Sequence, residues 1–209
     1  MKGFFISMEG SDGSGKSTQL KNIEKHLEAR GYRVLVTREP GGTAVSEKIR
    51  DILLDPENTT ITPWTEMFLY AAARAQHLEA CILPALAKGK IVLCDRFVDS
   101  SIAYQGYGRE LGDVVRQVNE IVTKGIAPDL TFFLDLPPHE GMERKRSEDG
   151  HKMDRLELEK ESFHTRVYNG YLAQCKEDKN RIVHIDARGS ASEVFCEIQK
   201  ILDTCLTQK

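Results

Sequence analysis

Short runs of β-branched and aromatic residues alternate along the chain with longer stretches whose apolar positions recur at helical spacing. The pattern predicts strands at Phe4–Met8, Arg33–Thr37, Ile91–Cys94, Leu130–Leu134 and Ile182–Ile185. Between them it predicts helices near Lys16–Arg30, Ala44–Leu54, Trp64–Lys88, Val114–Lys124, Glu157–Glu177 and Ser190–Leu206, with Gly31 and Gly89 as C-terminal stops. Strands separated by helices imply an α/β fold with a mostly parallel, five-stranded sheet flanked by helices. Each of the first four strands is followed by a loop rich in Gly, Pro, Asp or Arg, which is where an open α/β sheet holds its ligands. One stretch breaks the pattern. Glu143–Arg155, read ERKRSEDGHKMDR, is charged and poor in apolar residues, and is expected to be mobile.

The length of 209 residues suits one domain spanning 1–209. Lysine and arginine number 29 against 32 aspartates and glutamates, a net charge of -3, so no nucleic acid polymer is expected as a partner. Any anionic ligand must be gripped locally. The five cysteines are scattered without a CxxC pair, which points to neither a disulfide framework nor a zinc site and suits a reducing, cytoplasmic setting. The N-terminal apolar run is too short for a secretory segment, and no stretch approaches the roughly 18 apolar residues of a membrane span. A soluble protein is expected.

The candidate chemistry starts at Glu9-Gly-Ser-Asp-Gly-Ser-Gly-Lys-Ser-Thr18. Gly10-x-x-x-x-Gly15-Lys16-Ser17 follows a strand and opens a helix, the context that gives a GxxxxGK[ST] phosphate loop its meaning. Backbone N–H groups around Gly10, Ser11, Asp12, Gly13, Ser14 and Gly15 converge on phosphate oxygens, aided by the helix N-terminus that Thr18 helps to form. Lys16 adds a full charge, and the Ser17 hydroxyl can ligate Mg²⁺. An NKxD guanine reader is absent, which weighs against a GTPase. After the third strand, Asp95 can join the magnesium shell or orient a neighbour. Arg96 can bridge phosphates and neutralise charge on the transferred group. After the second strand, Thr37-Arg-Glu-Pro-Gly-Gly-Thr43 forces a tight turn.

Taken in order, EGSDGSGKST, TREPGGT, EMFLYAAARAQH, DRFVDSSIAYQGYGR, PDLTFFLD and DRLE resemble the thymidylate kinases over nearly the whole chain. The resemblance implies a P-loop nucleoside monophosphate kinase fold with a mobile lid, roughly residues 143–157. It further implies ATP as phosphoryl donor to dTMP, Mg²⁺ as cofactor, a homodimer and a place in dTTP synthesis. It puts Asp12 at the sugar of the acceptor, where a carboxylate can accept from the 3′-hydroxyl. Glu9 is open between a buried acid capping backbone N–H groups and a magnesium-shell role. Tyr70 and Arg74, at i and i+4 on one helix face, correspond to the residues that stack on thymine and hydrogen-bond it, with Tyr70 replacing the usual Phe. Gln105 corresponds to the reader of the base edge, and Ser101 and Tyr104 lie near the sugar. Arg50 corresponds to the arginine that holds the acceptor phosphate, supported by Arg38 and by Pro40, whose peptide bond with Glu39 is expected to be cis.

Family members place one catalytic arginine either in the P-loop or in the lid. Gly13 occupies the P-loop position, so the charge is expected from the lid, through Arg146 and Arg155 with Lys152 in reserve. Relatives carry an Arg-Gly pair where this chain has Asp149-Gly150. Arg188, after the last strand, is a candidate border of the donor base.

Overall fold

The run FFISMEG forms the middle strand of the sheet. In the computed structural model, which describes residues 3–147 and 152–207, this strand, β1 (Phe4–Gly10), is buried along its whole length. β2 (Val34–Arg38), β3 (Ile91–Asp95), β4 (Leu130–Asp135) and β5 (Ile182–Asp186) complete a five-stranded sheet in the order β2-β3-β1-β4-β5, and every pairing is parallel. The chain leaves β1 toward β2 and β3 on one side and then crosses to β4 and β5 on the other. The carboxyl end of β1 is therefore the place where strand order reverses, and a ligand crevice is expected there.

Alternation along β1 sorts its side chains between the covering layers. Phe4, Ile6 and Met8 pack with Leu20, Ile23 and Leu27 of α1 (Lys16–Ala29) and with Val194, Ile198 and Leu202 of α9 (Ala191–Thr207). The opposite face carries Phe5, Ser7 and Glu9. Phe5 joins a cluster with Phe97, Leu78 and Ile82, while Ser7 meets Thr131 of β4 through a 2.8 Å hydroxyl contact. A second cluster on that face gathers Tyr104, Phe133, Phe163, Val167 and Tyr171. Glu9 is wholly buried among these groups, so a strand that reads as apolar carries one ionisable side chain into the interior.

Helices α2 (Ala44–Leu54) and α3 (Pro63–His77) pack on each other outside the sheet. Each starts on a threonine whose hydroxyl accepts from the backbone N–H of the third helical residue: Thr43 from Ser46 and Thr62 from Thr65. The single helix expected over Trp64–Lys88 is divided. A π-helical turn at Leu78–Ile82 separates α3 from α4 (Leu83–Ala87), because Pro84 has no N–H to continue the ladder. Helical structure that the apolar pattern did not reveal comprises α5 (Val98–Ser101), a π-helical segment Ile102–Gly108, and α7 (Pro138–Arg146). α6 (Val114–Thr123) lies between the last two, and α8 begins at Glu161 rather than Glu157 and ends at Glu177. The segment expected to be mobile from Glu143 thus starts inside α7. No helix among the described residues is long and apolar enough to cross a membrane.

Candidate active site

The cavity at the crevice beyond β1 has a volume of about 350 Å³, a size that suits a small-molecule ligand. The phosphate loop forms one wall. Gly10 ends β1, Lys16 opens α1, and Ser17 and Thr18 are exposed in its first turn. Lys16 is buried and donates through Nζ to the carbonyls of Gly10 at 3.2 Å and Ser11 at 3.0 Å. Burial, reinforced by the like charge of Arg96, pulls its ammonium down to about 8.

Arg96 is the hinge of the facing wall. Its φ of 69° is left-handed, a conformation that a long side chain rarely adopts and that marks functional sites. The turn aims the guanidinium across the P-loop, where Nη1 donates to Gly10 O at 2.9 Å and Tyr171 Oη at 3.0 Å, and Nη2 to Asp12 Oδ1 at 2.8 Å. The same group lies 5.2 Å from the centre of the Tyr104 ring. Glu9 explains how the turn is held: it accepts from the Phe97 backbone N–H at 2.7 Å, Ser100 Oγ at 2.5 Å and Tyr171 Oη at 3.2 Å. Glu9 is thus placed as a buried anchor for the loop after β3. Burial and the nearby Asp99 raise its pKa to about 8.

Asp12 sits between Arg96 and the Tyr104 hydroxyl, which donates to it at 3.2 Å. Burial alone would raise its pKa, but the charges of Arg96, Lys16 and Lys145 prevail and hold the carboxylate well below its usual range. An acid inside a phosphate loop is stable here because three cations surround it. Asp95, at the end of β3, lines the cavity and carries a buried oxygen, Oδ1, with no hydrogen-bond partner. A buried orphan carboxylate oxygen near an exposed Ser17 hydroxyl fits a divalent cation held by few protein ligands and by phosphate.

The deeper part of the cavity is polar and highly ordered. Arg74 is buried and uses four of its five N–H groups: Nε donates to Glu39 at 2.7 Å, Nη1 to Ser101 Oγ at 2.8 Å and to Asn119, and Nη2 to Phe97 O at 3.0 Å. His77 supports the same Glu39 at 2.9 Å. The Glu39–Pro40 peptide bond is cis, and Arg50 donates to Pro40 O at 2.8 Å. Arg38, Pro40, Arg50, Tyr70, Arg74, Ser101, Tyr104 and Gln105 all line the one cavity, together with Asp12, Lys16, Ser17, Asp95 and Arg96. The Tyr70 phenol is pushed well above its usual pKa, first by burial and then by Glu66, so it remains a neutral ring.

The lid residues divide differently from expectation. Lys145, not Arg146, lines the main cavity, and it pairs with Glu157. Arg146 borders a smaller cavity of about 30 Å³ behind Asp12 and Tyr104. Arg155 is buried away from the phosphate loop, donating to Leu53 O and Glu66 Oε2, each at 2.8 Å. Its short reach to α2 and α3 fastens the returning end of the lid. Lys152 is exposed, Arg188 is an exposed partner of Asp186, and Asp149-Gly150 lies outside the described residues. Lid and P-loop touch through glycines: a Cβ on Gly13 would meet Gly141 O of α7 at 2.0 Å, so no arginine fits at position 13 in this arrangement.

Glu66 was missed as a site residue. It accepts from Gln105 Nε2 at 2.9 Å, Arg109 Nη2 at 2.9 Å and Arg155 at 2.8 Å. Its position four residues before Tyr70 and eight before Arg74 put it on the same helix face and was a usable sign.

A phosphate loop at the switch point of a parallel sheet, facing a second chamber lined by arginines and a lid, defines a P-loop phosphotransferase of the nucleoside monophosphate kinase fold. The sequence profile described as "Thymidylate kinase" matches residues 8–198. Proteins named thymidylate kinase from Thermoanaerobacter sp. (strain X514) and Exiguobacterium sp. (strain ATCC BAA-1283 / AT1b) are 53% and 50% identical to this chain. They align over 95% and 97% of it and over 96% and 94% of their own lengths. The crystal structure of thymidylate kinase from Ehrlichia chaffeensis superposes with a TM-score of 0.77 at 33% identity, covering 97% of this chain and 99% of that one. The chain belongs to the thymidylate kinase family.

Proposed function

We propose that this enzyme transfers the γ-phosphoryl group of ATP to dTMP, making dTDP. The observation that carries the acceptor reading is the buried, unpartnered oxygen of Gln105, a residue that lines, with Arg74 and Tyr70, a chamber that opens onto the phosphate loop. A carbonyl acceptor there suits the ring N–H of thymine, Arg74 suits a base carbonyl, and Tyr70 offers a face for stacking. Asp12 would accept from the 3′-hydroxyl and Tyr104 would crowd a 2′-hydroxyl, favouring deoxyribose. Arg50, Arg38 and Arg96 would hold the acceptor phosphate.

On the donor side, the loop from Gly10 to Thr18 would cradle the phosphates of ATP. Asp95 and Ser17 would hold Mg²⁺, which when bound supplies charge neutralisation on those phosphates. Catalysis then rests on alignment and positive charge: Lys16 and Arg96 flank the transfer site, and Lys145 approaches it from the lid. Of the expected lid arginines, Arg146 would support this charge from behind Asp12, and Arg155 would act by fixing the lid to Glu66. We assign a homodimer to the exposed apolar faces of α2 and α3, and the cytoplasm as compartment, consistent with five cysteines that all carry free thiols.

The test is a coupled ADP-release assay with ATP and Mg²⁺, offering dTMP, dUMP, dCMP, UMP, dGMP and thymidine in parallel. dTMP should lead and dUMP should follow, because one methyl provides only about 1–3 kcal/mol of discrimination. Another acceptor in the lead would overturn the base-site reading.

A further inference from the structure

Gln105 can present either end of its amide to the acceptor base, and the two ends read opposite chemistry. Its orientation is settled by Glu66. This carboxylate is completely buried in the first turn of α3. Oε2 accepts from Arg155 Nη2 at 2.8 Å and Arg109 Nη2 at 2.9 Å, Oε1 accepts from Gln105 Nε2 at 2.9 Å, and Arg109 Nε bridges both oxygens at a longer 3.2 Å. Burial by itself would favour the protonated acid, but the hydrogen bonds and charge of Arg109, with Gln105 and Arg155, outweigh it and lower the pKa. An ionised carboxylate can only accept, so Gln105 must offer it the NH₂ group and turn Oε1 the other way. That oxygen is buried without a partner, in a residue that lines the cavity.

We infer that Glu66 is a specificity-determining positioning residue: it locks the Gln105 amide with its oxygen inward, so that the site selects a base carrying a ring N–H at its pairing edge. Thymine and uracil carry that N–H, whereas cytosine has a lone pair at the same ring position. The inference rests on the reading of Gln105 as the base reader.

Glu66→Gln inverts the lock by the same logic. The new amide keeps its oxygen toward Nη2 of Arg109 and of Arg155, the two shortest arginine contacts and both at one oxygen, so its NH₂ faces Gln105, and Gln105 must answer with its carbonyl. Its own NH₂ then points into the cavity, toward a base acceptor. Steady-state kinetics on the full chain, with dTMP and dCMP as alternative acceptors and saturating ATP, read this out. In Glu66→Gln the dTMP KM should rise roughly tenfold, kcat should change much less, and the dTMP-over-dCMP ratio of kcat/KM should narrow by at least about tenfold. A purely structural role would not exchange one pyrimidine for the other.

Gln105→Leu separates the layers of the inference. Should it leave dTMP KM and the pyrimidine ratio at wild-type values, Gln105 does not read the base and the underlying reading falls. If Gln105→Leu collapses the ratio while folded Glu66→Gln keeps it, only the role of Glu66 is overturned. The double variant should be no less selective than Gln105→Leu alone. Where Glu66→Gln does not fold, Glu66→Asp retains the charge for both arginines and withdraws from Gln105; a ratio narrowed by about threefold supports the inference, and an unchanged ratio overturns it.

Discussion

Lys16 must carry its proton to hold phosphate, yet the fold disfavours that proton. Its ammonium is buried beside the Arg96 guanidinium and titrates near 8 rather than at 10.5. The protonated fraction therefore falls from most of the population at pH 7 to a small part at pH 9, and nucleotide affinity should weaken about tenfold over that interval. The sign for folding is the reverse: between about 8 and 10.5 the unfolded chain holds the proton that the folded chain has lost, so stability gains as pH rises there. Titrating a fluorescent ATP analogue at pH 7 and 9 measures the first effect, and Lys16→Arg, which stays charged, should flatten the slope. A flat profile for the unmodified chain would show that Lys16 keeps its charge throughout. The position of Lys16 was legible in the sequence because GxxxxGK[ST] fixes it between a strand and a helix. Its lowered pKa was not, because burial, the main cause, is set by the fold, and the like charge that adds to it comes from Arg96, 80 positions further along the chain. Glu66 was obscured for a related reason: a glutamate on a helix reads as solvated until the arginines that bury it, from outside its own helix, are known.

The elements that the apolar pattern predicted were those with one face on the sheet, such as α1 with Leu20, Ile23 and Leu27. Those it missed lack such a stripe. α7 reads PHEGMERKR, and only Gly141 in it is buried. This helix nevertheless sets the lid, because Gly141 lies against the backbone of the P-loop: a Cβ there would meet Asp12 O at 2.1 Å. Backbone does not yield as a flexible side chain does, so Gly141→Ala should lift α7 away and take Lys145 with it. Overpacking of this kind costs about 1–3 kcal/mol where nothing can move, but a lid can tilt, so folding should suffer little and turnover should suffer more. We expect kcat to fall by at least about tenfold, equivalent to ~1.4 kcal/mol in the barrier, with ADP release in the absence of dTMP rising relative to transfer. Lys145→Met should lower kcat as well, but without the rise in uncoupled hydrolysis, since it removes charge and leaves the glycine contact closed. Equal uncoupling in both variants would sink the distinction between seat and charge.

At the scale of the molecule, α3 serves two directions at once. Tyr70 and Arg74 line the acceptor chamber and Glu66 is buried against Gln105, while Trp64 and Phe68 are 50% and 53% exposed, their ring centres 6.3 Å apart. Val45 and Ile52 of α2 are also exposed, and α2 packs against α3. Isolated apolar residues at a surface are ordinary, but four of them on two helices that pack together are where the proposed second copy would dock in a self-complementary way. The sequence alone could not show this, because the helical period places apolar residues on both sides of α3 and only the sheet decides which side is inward. If the proposed dimer docks there, the unmodified chain should sediment as a dimer and Phe68→Glu, which places a charge on that surface, as a monomer at the same concentration in sedimentation velocity. Because the same helix positions Tyr70 and Arg74, loosening it should raise the dTMP KM by several fold while the ATP KM, set by the P-loop across the cavity, stays near its original value. A dimer that survives the substitution would move the interface elsewhere. A monomer with unaltered dTMP KM would instead show that the sheet and the Arg74–Glu39 pair hold the acceptor chamber without help from the partner.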